Sequence, residues 1–221
     1  MRKDFEKYAM SEHRIGSLDV HNYSKFIEGS LTPYILEERE LRATQIDIFS
    51  RLMMDRVLWV AGPVNDKMST IVQAQLMFLD SVDSKDITMH IDSPGGSVKS
   101  GLSMVDVMDY IKSDIVTVNT GMAASMGSIL LGAGTKGKRY SLRFSKVMLH
   151  QSSGGFSGNI QDAKIDFEEW EKYNKILFEL LGEYCDKDPK QVAEDASRDF
   201  WMDAKEAVKY GIIDDVIKNK K

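Results

Sequence analysis

The stretch Ile87-Thr88-Met89-His90-Ile91-Asp92-Ser93-Pro94-Gly95-Gly96-Ser97 decides the fold class of this 221-residue chain. Its first five residues predict a β-strand, and this strand runs into a loop with two consecutive glycines. Apolar residues then recur at helical spacing, at Leu102, Val105, Met108 and Ile111. A strand, a loop and a helix in this order indicate one unit of an α/β sheet.

The same alternation continues on both sides of this unit. Short apolar or β-branched runs predict further strands at residues 57–61, 115–118 and 147–149. Helical spacing predicts a helix capped by Asn65, a buried helix over 123–131 and a long charged helix over 160–181. We therefore predict an α/β domain with a largely parallel sheet and right-handed crossovers.

Composition excludes several classes of protein. The chain has 29 basic and 34 acidic residues, a formal charge of 29 − 34 = −5, so we expect no nucleic-acid partner. A hydrophobic share of 43% excludes global disorder. Cys185 is the single cysteine, which favours the reducing cytoplasm. The sequence has no run of about 18 apolar residues and no signal-peptide core over 1–7, so we expect neither export nor a membrane partner.

Residues 1–45 differ from the rest of the chain. They are rich in charge and show no sustained helical or strand period. We predict that they form a mobile arm or docking segment and that residues 46–221 form a single domain. The long helix of this domain has an apolar stripe at Trp170, Tyr173, Leu177 and Leu180, which indicates either core packing or a contact with another subunit.

Ser125 is the candidate nucleophile. It lies in Gly121-Met122-Ala123-Ala124-Ser125-Met126-Gly127, at a predicted strand-to-helix junction surrounded by small residues. At such a junction the first N–H groups of the helix are free, and the N–H of Met126 could meet a developing oxyanion. Small residues also serve tight helix packing, so this pattern alone leaves a structural role open.

Two further candidate features of a functional site lie near the ends of predicted strands. The glycine pair at Gly95 and Gly96 lets the backbone approach a ligand and turn N–H groups outward, although a plain turn would use the same residues. Of the four histidines, only His150 ends a predicted strand at a glycine-rich loop, where parallel-sheet proteins place their chemistry. A histidine there is often structural. Taken together, however, Ser125, the glycine loop and His150 are consistent with one catalytic site.

The stretch Gly132-Ala133-Gly134-Thr135-Lys136-Gly137-Lys138-Arg139 resembles two nucleotide-binding motifs. Both motifs need a strand before the loop and a helix after it, whereas a buried helix is predicted to precede this one. Arg139 also occupies the position of the serine or threonine that binds Mg²⁺ in a P-loop. We therefore predict a solvated turn here.

Four motifs in order resemble the Clp protease proteolytic subunits, the ClpP family. They are Ser93–Gly96, Gly121–Gly127, Val147-Met148-Leu149-His150-Gln151 and Arg198-Asp199-Phe200-Trp201-Met202, and the similarity extends from about Tyr34 to Val216. The resemblance implies a ClpP/crotonase-like spiral of βαβ units with a protruding helix-plus-strand handle at about 151–184. It also implies a serine endopeptidase.

The resemblance implies a role for five residues. Ser125 matches the nucleophile of the family, His150 its general base and Asp199 the carboxylate that orients the base. Gly96 and Met126 match the two amides of the oxyanion hole. The residues alone do not single out Asp199, although its place before Phe200-Trp201 suggests that it is drawn inward with them. No cofactor is expected in this chain.

The resemblance also implies partners. Family members stack heptameric rings of identical chains into a hollow barrel, and an ATP-using AAA+ unfoldase of the ClpX, ClpA or ClpC type feeds unfolded polypeptides into it. The handle would dock the rings, and residues 1–45 would be the propeptide and axial-loop region. ATP would be used by the unfoldase and not by this chain.

Several residues depart from the family pattern. Ser152 stands where a proline usually follows the His-Gln pair, and Ser197 replaces the acid that usually precedes Arg198. Thr88 and His90 occupy positions where the family often has aromatic residues that bind the unfoldase, although Tyr110 retains one. We therefore expect an altered ring-to-ring contact and an altered interface with the unfoldase.

Three other functions compete with this interpretation. A crotonase-type acyl-CoA enzyme shares the fold and the amide pair but needs no serine nucleophile. A membrane-linked Ser-Lys signal-peptide peptidase is disfavoured, because the chain lacks a transmembrane segment and has His150 in the base position. A catalytically silent ring subunit is disfavoured by the presence of Ser125, His150 and Asp199.

Overall fold

The computed structural model describes residues 34–39, 42–155 and 159–218. The chain divides into two compact units, residues 1–51 and 52–221. In the first unit, β1 (Tyr34–Arg39) and β2 (Arg42–Asp47) form an antiparallel hairpin with Tyr34 opposite Asp47. The sequence of this segment predicts no strand, because the hairpin is held by backbone pairing and has no apolar alternation. Most of the predicted arm, residues 1–33, lies outside the described residues.

Helices and strands alternate through the rest of the chain. In chain order they are α1 (Ile48–Met54), β3 (Val57–Ala61), α2 (Asp66–Val82), β4 (Ile87–Ser93), α3 (Val98–Tyr110), β5 (Ile115–Ala124), α4 (Met126–Gly132), β6 (Arg139–Ser141), β7 (Lys146–Leu149), α5 (Ile160–Cys185), α6 (Pro189–Asp195), β8 (Phe200–Asp203), α7 (Ala204–Tyr210) and β9 (Asp215–Val216).

The second unit is built on a seven-stranded sheet. Strands β3, β4, β5, β6 and β9 follow one another in parallel, β7 pairs in parallel with the end of β5, and β8 is antiparallel to β7. The predicted α/β class with a largely parallel sheet is confirmed. Strand β5 is long enough to pair with β6 through residues 117–119 and with β7 through residues 122–124.

The element boundaries follow from local chemistry. Asn65 caps α2, as predicted, by accepting a hydrogen bond from the Met68 N–H (3.0 Å). The helix predicted over 123–131 begins only at Met126, because residues 123 and 124 still belong to β5. All seven residues of α4 are buried, as its apolar sequence predicts. The nucleotide-motif look-alike forms the end of α4, a turn and the start of β6.

The long helix α5 runs beyond its predicted end to Cys185. It ends there because Asp186 adopts a left-handed conformation, with φ of 52°. Leu177 and Leu181 are buried against the core, whereas Ile160 and Ile165 are exposed. Residues 151–155 form no strand, and 156–158 lie outside the described residues, so the strand expected within the handle is not seen at 151–155.

Candidate active site

The glycine loop after β4 is folded tightly against Ser125. Gly95 has φ of 90° and Gly96 has φ of 148°, a region that favours glycine. A Cβ on Gly95 would lie 2.6 Å from Ser125 Cβ, and one on Gly96 would lie 2.3 Å from the Val64 carbonyl oxygen. Only glycine therefore allows this loop to lie so close to both neighbours.

Ser125 lies at the junction between β5 and α4, where the sequence predicts it. Its φ of 55° and ψ of −124° are uncommon for a residue with a side chain. The Ser125 N–H donates to the Met148 carbonyl oxygen (2.9 Å), and the Ser125 carbonyl oxygen accepts from the N–H (2.9 Å) and Oγ (2.6 Å) of Ser128. These three hydrogen bonds hold the residue in a strained conformation that turns it toward a cavity.

The Gly96 and Met126 amides belong to the same region. Both residues line the cavity that Ser125 lines. Met126 is the first residue of α4, so its N–H has no partner within the helix. Within the described part of the chain, neither amide donates a hydrogen bond to another protein group. Both N–H groups are thus available to an oxygen atom of a ligand.

His150 and Asp199 are brought together by strand pairing. Leu149 at the end of β7 is opposite Phe200 at the start of β8, so the next residues outward, His150 and Asp199, become neighbours. His150 Nδ1 lies 3.5 Å from Asp199 Oδ1. The expectation that burial draws Asp199 inward is wrong, because its side chain is 63% exposed. The antiparallel register, and not an apolar environment, places this carboxylate.

The cavity has a volume of about 370 Å³ and combines polar and apolar walls. Its polar part includes Ser125 and His150, and no hydrogen bond joins their side chains in the structure. Its apolar part comes from side chains of α3, α4, β7 and α5, namely Val98, Ile129, Leu149, Leu177, Phe178 and Leu181. The structure therefore brings four predicted site residues to one cavity and the fifth, Asp199, to His150.

Sequence reasoning missed Ser128 and Phe178. Ser128 follows Ser125 at the i+3 spacing at which a serine hydroxyl commonly bonds a backbone group, and this spacing was the available signal. Phe178 lies beside Leu177 on α5 and lines the cavity, although it is not part of the predicted apolar stripe. Of that stripe, Leu177 is buried in the core and also lines the cavity, and Leu180 packs against the core.

Other reactive groups lie apart from this site. Burial raises the pKa of the Cys185 thiol to about 12, so this cysteine is a thiol at neutral pH. Among the residues that the structure describes, no group of three or more His, Cys, Asp or Glu side chains could hold a metal ion. No helix of the described ranges is both long enough and apolar enough to cross a membrane.

Comparisons with known proteins identify the family of this chain. The family model for Clp protease matches residues 39–220. An ATP-dependent Clp protease proteolytic subunit of Bacteroides fragilis (strain YCH46) is 46% identical over 218 residues, 98% of this chain and 99% of the relative. Proteins of the same name from Porphyromonas gingivalis and Streptococcus mutans are 43% and 45% identical, covering 99% and 86% of this chain and 99% and 98% of their own lengths. The chain therefore belongs to the Clp protease family and is a peptidase, as the motifs predict.

Proposed function

We propose that this chain is a serine endopeptidase that cleaves unfolded polypeptides with Ser125 as its nucleophile. The observation that carries the proposal is the strained Ser125 at a cavity shared with His150 and with two amides that have no protein acceptor. A positively charged or metal-bound group is not needed in this arrangement, because the two amides offer hydrogen bonds to a developing negative charge.

In the proposed mechanism, His150 acts as the general base. Its Nε2 takes the proton of Ser125 Oγ while Oγ attacks the peptide carbonyl carbon, and the carbonyl oxygen becomes an oxyanion that accepts hydrogen bonds from the Gly96 and Met126 amides. His150 then gives the proton to the leaving amine, and the C–N bond breaks. Water, activated by the same imidazole, releases the acyl group and restores Ser125.

Asp199 has the role of orienting the base. An Nδ1–H of His150 pointing toward Asp199 leaves Nε2 free to accept the serine proton, and the carboxylate stabilises the imidazolium that forms. The Nδ1 to Oδ1 distance of 3.5 Å is longer than an ordinary N–H···O hydrogen bond. Catalytic hydrogen bonds often tighten only when substrate is bound, and we expect this of both His150 contacts.

The apolar wall of the cavity supports a preference for substrates with an apolar residue next to the scissile bond. Leu149, Leu177 and Phe178 would contact the side chain next to the scissile bond, where burial of apolar area favours a medium or large apolar residue. The substrate must also be extended and unfolded, because the reacting carbonyl has to reach the end of β5 beside the glycine loop.

The proposed assembly is a pair of stacked heptameric rings served by a separate ATPase. The relatives are named as subunits of an ATP-dependent protease, which supports an AAA+ unfoldase of the ClpX, ClpA or ClpC type as the partner. In this proposal the chain itself uses no cofactor, and the unfoldase uses the ATP. Three apolar side chains near the start of α5 are exposed, and this supports burial of that part of the helix against another copy of the chain. They are Ile160, Ile165 and Phe167.

The proposed compartment is the cytoplasm, and the single cysteine supports it.

Hydrolysis of a short fluorogenic peptide tests the proposal. The purified chain should cleave it, and Ser125→Ala should abolish cleavage, since loss of the nucleophile removes on the order of a millionfold in rate. A fluorophosphonate should label Ser125 in the native chain and not in Ser125→Ala. Hydrolysis that persists in Ser125→Ala would overturn the nucleophile. A crotonase-type enzyme or a silent subunit would show neither cleavage nor labelling.

A further inference from the structure

The residue after His150 is bonded to the loop that carries Asp199. The Gln151 N–H donates to the Ala196 carbonyl oxygen (3.1 Å), and Gln151 Nε2 donates to the Ser197 carbonyl oxygen (3.4 Å). These bonds fix the position of the backbone on one side of His150. Beyond residue 151 the chain leaves this loop and runs toward α5.

The next residue is bonded to α5 through one side chain. The Ser152 N–H and Ser152 Oγ both donate to Asn174 Oδ1, each at 3.1 Å. Asn174 is half-buried in the middle of α5. Gly154 lies against the same helix, since a Cβ there would be 2.7 Å from the Trp170 ring. One amide oxygen of α5 therefore receives two hydrogen bonds from the segment that follows His150.

We propose that Asn174 is a positioning residue for His150. This inference rests on the proposed function, because it takes His150 as the general base. Residues 151–155 form no regular structure, so hydrogen bonds made by their own groups must restrain them. Asn174 provides two of these bonds, at a residue only two positions from the base. Its loss gives the imidazole freedom to move away from Ser125, and a displacement of about 1 Å can cost about a hundredfold in rate.

The chemistry of asparagine suits this role. An amide oxygen has two lone pairs and can accept from both Ser152 groups at once. Leucine has a similar shape but no acceptor, so Asn174→Leu removes both bonds. Aspartate keeps the acceptor in a similar shape, so Asn174→Asp preserves them. Ser152→Ala removes the hydroxyl donor and leaves the backbone donor in place.

The test measures kcat and KM for a fluorogenic peptide with the full chain, together with the rate at which a fluorophosphonate labels Ser125. We expect Asn174→Leu to lower kcat and the labelling rate about tenfold with KM unchanged, and Asn174→Asp to restore both. Gln191→Leu is the matched control, because it also replaces a neutral amide by leucine and its hydrogen bond stays within α6. It should match the native chain.

A double-mutant cycle tests whether Asn174 acts on His150 through Ser152. If Asn174 acts through Ser152, then Ser152→Ala lowers kcat in the native chain and has no further effect in Asn174→Leu. Native kcat in Asn174→Leu, failure of Asn174→Asp to restore it, or strictly additive effects in the cycle would each overturn the inference. The proposed function is tested separately, since it fails if the native chain neither cleaves the peptide nor is labelled, or if hydrolysis survives in Ser125→Ala. Sedimentation of each variant ensures that equal oligomers are compared.

Discussion

Ser125, the proposed nucleophile, has a strained backbone conformation. A side-chain-bearing residue in an uncommon region of φ and ψ costs about 1–3 kcal/mol, and such residues persist only where their surroundings hold them. Here the restraint comes from Met148 on one side and from Ser128 on the other. The loop before α3 also packs against this residue, since a Cβ on Gly95 would lie 2.6 Å from Ser125 Cβ. The geometry of the proposed nucleophile therefore depends on its neighbours as well as on the serine itself.

Gly95→Ala tests this dependence. The new Cβ would meet Ser125 Cβ at 2.6 Å, and the residue would also be strained at φ of 90°. We expect the fluorophosphonate labelling rate of Ser125 to fall at least about tenfold, and the free energy of unfolding to fall by about 1–3 kcal/mol.

Gly137→Ala is the matched control for this change. Gly137 has nearly the same φ, 88°, but a Cβ there would have no neighbour within 4 Å. It should lose stability through backbone strain alone and label at the native rate. Equal labelling of the two variants would show that the contact between Gly95 and Ser125 is unimportant.

Local patterns locate some site residues and not others. Ser125 and His150 are signalled by short motifs at predicted strand ends, and the structure places them at one cavity. Asp199 could not be chosen from composition or spacing, because its place beside His150 results from the register of β7 with β8, strands that are distant in the chain. Asn174 was missed for the same reason, since its contact with Ser152 exists only after α5 has packed.

At the scale of elements, one ion pair joins β6 to the segment before β9. Arg139 is almost fully buried, its Nη2 lies 2.6 Å from Asp214 Oδ1, and its Nε donates to Asp214 Oδ2 (3.0 Å). The Gly137 N–H also donates to Asp214 Oδ2 (2.7 Å). The stretch that imitates a phosphate loop thus binds a carboxylate of its own chain, and this explains why a basic residue follows the glycines.

The pH dependence of stability follows from this pair. Burial raises the pKa of Asp214, but hydrogen bonds from Arg139 outweigh it and hold the pKa below the ordinary value of 3.8. Because the pKa is lower in the folded state, the stabilisation is complete above about pH 4 and is lost as pH falls through the folded value.

We expect Asp214→Asn to lower the free energy of unfolding by about 3 kcal/mol at pH 7, because it leaves Arg139 buried without its carboxylate. The loss should shrink below about pH 4, because there the Asp214 carboxyl of the unfolded chain takes up a proton before the folded one does, and this weakens the native chain. Denaturant unfolding at pH 7 and pH 3 measures both. Asp186→Asn, which breaks an exposed pair with Lys136, is the control and should unfold like the native chain. Equal losses at the two pH values would contradict this account.

Element type was more predictable than element ends. Alternating strands and helices gave the α/β class, because apolar periodicity is a local property. The hairpin of β1 and β2 was not predicted, since its pairing needs no apolar alternation. The start of α4 was placed three residues too early, because the apolar run continues unbroken from the end of β5 into the helix.

At the scale of the whole molecule, two surfaces carry apolar or aromatic side chains of the kind that bind other proteins. Ile160, Ile165 and Phe167 expose apolar area along the first half of α5. On the sheet, Trp59 of β3 stacks on His90 of β4, with ring centroids 4.8 Å apart. The sheet therefore has an aromatic side chain beside Thr88 and His90, but this side chain is Trp59 of the neighbouring strand β3.

We expect weakened ring docking, because Ser197 cannot form the ion pair that an acid before Arg198 would form. Ser152, the other departure, is restrained by Asn174 in place of a proline ring. Sedimentation velocity at low micromolar concentration should show single and double rings together, and Ser197→Asp should shift the population toward the double ring. One tight double ring in the native chain would contradict the prediction.

The pairing of β7 with β8 also has a consequence for protein synthesis. Ser125 and His150 are translated well before Asp199, and the carboxylate reaches the imidazole only when β8 adds to β7. A chain that still lacks β8 also lacks Asp199, the residue proposed to orient the base. If Asp199 has that role, we expect such a ribosome-bound chain to be a much weaker peptidase than the folded protein.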